Sequence, residues 1–333
     1  MFILDTVRLV HGDIVLTTRD VAVSKAIRKA TAGAFSHAML YVADHSYIHS
    51  DGDGVHSGNT QRLLFSDPSH GMVLRLERPD PLIMERACMY ARTQVGKQYS
   101  VPEAARSKFR RAGEKQDESN RQFCSRLVAQ AYAYVGVHLV PNPDYCYPGD
   151  IAASPLLASV AGALRAALPS EIAFAGTESP LDRQTQMTNF ILTEVRELTG
   201  ADIQTFEQLV PYLIDNRQHD QAVCAIVEAS GYWEFWRTDI ERNPWRYDGQ
   251  RFLALAVSDS ERTARANREL SAARKQLKQF VFMHGQFMHV WRHAQLAYFA
   301  AELRLYQTLI EVTQRRIATA EQVLSTGLGK GID

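Results

Sequence analysis

The spacing of apolar residues changes part-way along this chain, and the change divides it. Up to about residue 155 short apolar runs alternate with helical spacing, whereas after about Leu181 the spacing is helical almost throughout. Gly12-Asp13 precedes the apolar run Ile14 to Leu16, a short strand. Val23, Ile27 and Ala30 give the segment Asp20 to Ala30 the pattern of a helix that Gly33 would stop. Ser36 to Val42 predicts a strand, Tyr47 to Ser50 another after the polar turn Asp44-His45, and Met72 to Glu77 a third, together a small antiparallel sheet. Pro81 to Val95 reads as a helix with proline in its first turn and Gly96 as its stop; a second runs from Cys124 to Val135, ended by Gly136. Ala152 to Ala175, rich in Ala, Ser and Leu, predicts a helix that closes the first domain or bridges to the next.

In the second half, Phe299, Leu303, Tyr306, Ile310 and Ile317 recur at helical spacing, the stripe of an amphipathic helix from Phe287 to Leu324. Ser260 to Phe280 is also helical and highly charged, which suggests a long antiparallel pair whose apolar edge meets the rest of the protein or a partner. The tail from Gly327 to Gly331 reads as frayed. A chain of 333 residues usually holds two cores. The expected organisation is an α+β domain over 1–175 followed by an α-helical domain over 176–333.

Composition narrows the class. Hydrophobic residues at 46% and charged residues at 22% describe a folded globular chain. Lys plus Arg equals Asp plus Glu at 37 each, so no global field favours nucleic acid or anionic membranes. No window approaches the run of about 18 to 20 apolar residues that a spanning helix needs. Met1 to Asp5 has no basic start, and Gly12-Asp13 interrupts any apolar run; a cytoplasmic location is expected, or export without a cleaved signal. Cys88, Cys124, Cys146 and Cys224 form no CxxC pair, which argues against a zinc knuckle or a disulfide scaffold. The charge-dense run from Arg106 to Arg121 reads as a solvated face, with a lid beside a site as the alternative.

One cysteine stands where a thiolate would be stabilised. Cys124 opens a helix whose apolar side is Leu127, Val128, Ala131 and Val135, close to unpaired N–H groups that favour negative charge and that also suit an oxyanion. Cys88 and Cys224 lie inside helices, and Cys146 lies among Pro143, Tyr145 and Pro148, as packing cysteines do. His37 opens an otherwise apolar strand, Ser36 to Val42, where a structural histidine is the plainer account on its own.

Five short stretches change that reading. Gly12-Asp13-Ile14-Val15-Leu16, Ser36-His37 with the apolar residues after it, Gly96-Lys97-Gln98-Tyr99, Phe123-Cys124-Ser125-Arg126-Leu127-Val128, and Tyr147-Pro148-Gly149-Asp150-Ile151 before Ser154-Pro155 occur in that order. Together they resemble the permuted NlpC/P60 superfamily of papain-like enzymes, in the YiiX/YaeF-like branch related to the lecithin:retinol acyltransferases. Histidine before cysteine is the permuted order. The resemblance covers roughly residues 10 to 156 and implies a permuted papain-like thiol hydrolase domain. It implies Cys124 as nucleophile, His37 as base, and a third polar residue on the next strand that orients the imidazole.

Strand parity leaves the third residue open. A two-residue turn at Asp44-His45 would pair Ala43 with Ser46 and put His49 on the wrong face, whereas a three-residue turn or a bulge would group His37 with His49, Asp51 and Asp53. His49 is the first choice, Asp51 the alternative and His56 a more distant one. The expected reaction is cleavage of an amide, a peptide or a peptidoglycan peptide, through an acyl-enzyme. Lipid acyl transfer or hydrolysis is the second reading, and a non-catalytic binding module or a secreted effector is the third. No cofactor and no metal are required, and the substrate is a peptide or acyl group.

Other motifs point elsewhere with less force. His289 and His293 have ligand spacing on a helix, but Val290 stands where a zinc-protease helix has glutamate. Tyr232, Trp233, Phe235, Trp236, Trp245 and Tyr247 cluster as core or as a recognition surface. There is no GxSxG elbow, no GxxxxGK[ST] loop and no GxGxxG.

Overall fold

The structure, a computed structural model, describes residues 1–18, 34–100 and 120–328. The helix expected over Asp20 to Ala30 and the charged residues from Arg106 to Glu118 lie outside these. The strands are β1 (Phe2–Leu4), β2 (Ile14–Thr17), β3 (His37–Ala43), β4 (Ser46–Asp51), β5 (Gly54–Asn59), β6 (Leu64–Phe65), β7 (Gly71–Leu76), β8 (Leu157–Ser159) and β9 (Leu164–Ala166). The helices are α1 (Pro81–Thr93), α2 (Cys124–Ala133), α3 (Pro148–Ala152), α4 (Pro169–Ala175), α5 (Pro180–Thr199), α6 (Phe206–Asp215), α7 (Asp220–Ser230), α8 (Arg237–Arg242), α9 (Gly249–Leu253), α10 (Asp259–Ala294) and α11 (Ala297–Leu328). Among them no helix is long and apolar enough to cross a membrane.

Two compact units result: Met1–Arg196 with Gly200–Leu209, and Glu197–Thr199 with Val210–Asp333. The first holds a six-stranded sheet in the order β5-β4-β3-β2-β7-β8 and a three-stranded one in the order β6-β1-β9. Alternate residues of the central strands face opposite ways, and the two sets find different partners. Ile14, Leu16, Ala38, Leu40 and Val42 pack against Met84, Ala87, Cys88 and Ala91 of α1 and Leu127, Val128, Ala131 and Tyr132 of α2. Val15, Met39, Tyr41, Tyr47 and Val73 pack instead with Leu4, Phe65 and Ala163, beside the smaller sheet. The α+β class with a helical C-terminal part is as the sequence reads.

The segment Ala152 to Ala175 is not one helix. Pro155, Gly162 at φ +67° and Pro169 interrupt it, and its apolar pieces complete sheets: Leu157–Ser159 pairs with β7 and Leu164–Ala166 with β1. The first unit also reaches past residue 175. Within it, Asn189 of α5 donates Nδ2–H to the Asp53 carbonyl at 2.8 Å.

In the second unit α10 and α11 form the long antiparallel pair, but their junction differs from the one the periodicity suggests. α10 continues through Phe287 to Ala294 and stops at Gln295, which has φ +50°, while Gly285 lies within the helix with open space around it. Ala297 and Tyr298 N–H groups at the start of α11 are bonded by the Asp220 carboxylate at 2.7 and 2.9 Å, a cap supplied from outside the helix. Trp233 donates its indole N–H to buried Glu302 at 2.8 Å, so this aromatic is partly packed and hydrogen-bonded.

Candidate active site

Cys124 is the first residue of α2, and the residue before it, Phe123, is extended and offers no side-chain cap. The first-turn N–H groups therefore have no side-chain acceptor there, and the sulfur takes that place. The Ala38, Ser125 and Cys124 N–H groups lie close enough to the sulfur to favour its charged form. Burial raises the thiol pKa, these N–H groups lower it, and burial prevails. Burial therefore favours the thiol over the thiolate.

The Ala38 contact places this sulfur next to the backbone that follows His37. Ala38 lies beyond the stretch over which β3 and β4 pair, which runs from Leu40↔Ile48 through Tyr41↔Tyr47 to Ala43↔Ser46. That register also answers the parity question. The turn is the two-residue one, with Asp44 and His45 at φ +49° and +64°, yet the register shifts between Tyr41 and Ala43. Val42 is the extra residue of a bulge. The shift turns His49 to the face of His37, and His37 Nε2 lies 2.8 Å from His49 Nδ1, both rings buried.

Asp51 and His56 extend the row. His56 Nε2 is 2.9 Å from Asp51 Oδ1, and His49 Nδ1 is 3.8 Å from Asp51 Oδ2. Burial alone would raise the Asp51 carboxyl, but the His56 hydrogen bond, the charges of His49 and His56 and the Asp53 N–H hold it well below the usual carboxylate range. Burial opposes a charged His56, yet the Asp51 hydrogen bond and charge raise its pKa overall. So His49 is in hydrogen-bond contact with His37, and Asp51 lies at ion-pair distance from His49. His56 is linked through Asp51.

Around these, Tyr99 of the G-x-x-Y stretch has its hydroxyl pKa raised by burial first, and further by the charges of Cys124 and Asp51. Arg126 is fully buried, 4.4 Å from the Phe123 ring centroid and 5.0 Å from that of Tyr145, and its Nε–H donates to the Asp144 carbonyl at 2.7 Å. That cation ties the start of α2 to the 144–146 loop. Ser125 Oγ makes a second tie by donating to the Cys146 carbonyl at 2.6 Å. The sequence names Ser125 and Arg126 within the motif around Cys124 but gives them no role of their own; their signal was their place one and two residues after the cysteine.

The other thiols are set apart. Burial pushes Cys88 up to about 12 and Cys224 up to about 11, and Cys146 is raised as well. None of the four cysteines is in a disulfide. Three ligand atoms, from His49, Asp51 and His56, all lie within 4.8 Å of one another, the cluster of this kind among the described residues. His289 and His293 are not part of such a group; His293 Nδ1 is 2.8 Å from the His289 carbonyl oxygen.

Residues 8–143 match the family described as permuted papain-like amidase enzyme, YaeF/YiiX, C92. Over those residues the chain is similar to a permuted papain-like domain of the YaeF/YiiX kind. The family is one of papain-like cysteine hydrolases, and its match spans the stretch that carries His37, His49 and Cys124. Among solved structures, metalloprotein yiiX from Escherichia coli O157:H7 is 18% identical, with a TM-score of 0.30; the match covers 45% of this chain and 96% of that one. No curated protein matches the chain. The YaeF/YiiX match ends at 143, before β8, β9 and the whole helical part.

Proposed function

We propose that this protein is a cysteine amidase or peptidase in which Cys124 is the nucleophile, His37 the base and His49 the residue that orients His37. The observation that carries this is the 2.8 Å contact of His37 Nε2 with His49 Nδ1, next to the Ala38 N–H that reaches the Cys124 sulfur. With Nε2–H given to His49, the Nδ1 of His37 is left to take the thiol proton. The thiol is protonated at rest, so the proton moves to His37 as the sulfur attacks the carbonyl carbon. The Cys124 and Ser125 N–H groups at the head of α2 then suit the oxygen that becomes negative, and the imidazolium returns its proton to the leaving amine. Water hydrolyses the thioester with His37 as base, which restores the thiol.

An amide bond is favoured because the family described for residues 8–143 is one of amidases; a lipid ester is the second class to assay. An acyl probe with an amide-like recognition element tests the assignment. Labelling is expected at Cys124, absent in Cys124→Ala and slowed about a hundredfold in His37→Ala. A label on Cys88, Cys146 or Cys224, or none above the rate of the denatured chain, overturns the catalytic reading and leaves a binding module.

A further inference from the structure

His49 and His56 stand directly opposite one another across the antiparallel ribbon of β4 and β5, and Asp51 lies two residues beyond His49 on the same face. Directly opposed residues hold their Cβ atoms about 5 Å apart. One hairpin therefore brings two imidazoles and a carboxylate to a point without help from other elements. Their ligand atoms lie within 4.8 Å of one another. The separations of 2.9 Å between His56 Nε2 and Asp51 Oδ1, and 3.8 Å between His49 Nδ1 and Asp51 Oδ2, are ones an ion can bridge. Zn²⁺ binds such nitrogen and oxygen donors at about 2.0 to 2.2 Å. The donor set suits Zn²⁺ or a neighbouring first-row ion; Ca²⁺ and Mg²⁺ prefer oxygen alone.

We propose that His49, Asp51 and His56 form a binding site for one divalent transition-metal ion, and that an ion bound there switches the hydrolase off by taking His49 from His37. The second half rests on the hydrolase reading; the first does not. His49 Nδ1 has one lone pair. In the metal-free chain this nitrogen lies 2.8 Å from His37 Nε2, in hydrogen-bond contact. In the metal-bound chain the same lone pair goes to the ion, which replaces the proton shared by His56 and Asp51. His37 then loses its hydrogen bond to His49, the orienting contact on which the hydrolase reading rests. Ion binding and the His37–His49 bond are mutually exclusive states of one nitrogen.

The test titrates the full, metal-free chain with Co²⁺ and reads its visible ligand-field bands. Bands that saturate at one ion per chain are expected, without a sulfur charge-transfer band, and unchanged in Cys124→Ala and His37→Ala. Asp51→Asn, which keeps the size of the side chain, and His56→Gln are each expected to weaken binding about tenfold or more. No bands, bands that survive both substitutions together, or a charge-transfer band lost in Cys124→Ala overturn the site. In a second arm, Zn²⁺ is expected to slow acyl-probe labelling of Cys124, with recovery on adding a chelator and no slowing in His56→Gln. Undiminished labelling of a Zn²⁺-loaded wild-type chain overturns the switch. If the metal-free chain does not label at all while Co²⁺ bands are present, the hydrolase reading fails and the ion site stands.

Discussion

His37 and His49 meet because Val42 is extra. The two-residue turn at Asp44-His45 would turn His49 away, and the bulge between Tyr41 and Ala43 corrects the face, leaving the two imidazole nitrogens 2.8 Å apart.

If His49 orients His37, its loss should act on turnover more than on binding. His49→Ala is expected to lower kcat about tenfold to a hundredfold with little change in KM, whereas His49→Asn, which keeps a polar partner, restores part of the rate. Asp51→Asn should have a smaller effect, because Asp51 lies 3.8 Å from the His49 ring nitrogen, at ion-pair rather than hydrogen-bond distance. Steady-state kinetics and the pH profile of each variant decide the ranking; a larger loss in Asp51→Asn would move the orienting role to the acid.

The buried thiol gives a pH signature. Its pKa lies above that of an ordinary cysteine because burial outweighs the nearby N–H donors. Since only the thiolate alkylates, the iodoacetamide rate at Cys124 without substrate should keep rising after a solvent-exposed thiol has levelled off. A plateau that already begins in mildly acid solution would show a preformed thiolate–imidazolium pair instead. Mass spectrometry of the Cys124 peptide reads either result.

Gly58 faces Tyr47 across the ribbon, and a Cβ there would come within 2.2 to 2.5 Å of the Tyr47 ring. Tyr47 is buried and its ring centroid is 5.1 Å from that of His49. Gly58→Ala should therefore push the tyrosine toward the site. A stability loss of about 1 to 3 kcal/mol is expected from overpacking, accompanied by slower labelling of Cys124. Urea denaturation and the probe assay measure the two effects separately.

The helical unit carries its own pH dependence. Burial raises the Glu302 carboxyl to about 7, although Trp233 and Tyr298 hydrogen-bond it. In the unfolded chain it ionises near the ordinary value of 4.5. Between those values the folded state holds a proton that the unfolded state has released, so stability falls as pH rises, by on the order of 3 kcal/mol by the time both states are ionised. Glu302→Gln keeps an acceptor for the indole N–H and should flatten the profile. Thermal melts from pH 5 to pH 8 that show the same slope in both chains would remove this account.

How far the sequence could be read depended on whether local signals were enough. Strands β2, β3, β4 and β7 and helices α1 and α2 announce themselves by period, by Pro81 and by the glycines that follow them, and their side chains settle where that period puts them. β5 hides, because Gly54-Val55-His56-Ser57-Gly58-Asn59 looks like a polar loop; its glycines are there for the close approach of Lys97 O and of the Tyr47 ring. β8 and β9 hide for another reason: as three-residue strands they exist only through pairing with β7 and β1. Cys124 and His37 were singled out by position and order. The contact of His49 with His37 was legible only as a choice, since nothing about Val42, an apolar residue in an apolar strand, marks it as the bulge.

The pairing of β8 with β7 also sets where the chain can be shortened. A fragment cut after residue 143, where the family match ends, would bare the β7 edge that Leu157–Ser159 covers and remove the β9 partner of β1. Gly71 to Leu76 would then offer a ready template for another copy. Cutting after β9 would still free Gln98, whose backbone N–H donates to Gln204 Oε1 at 3.0 Å next to Tyr99. The smallest soluble fragment that preserves the site should accordingly end near Leu209, well inside the helical half, and shorter ones should aggregate rather than merely lose activity.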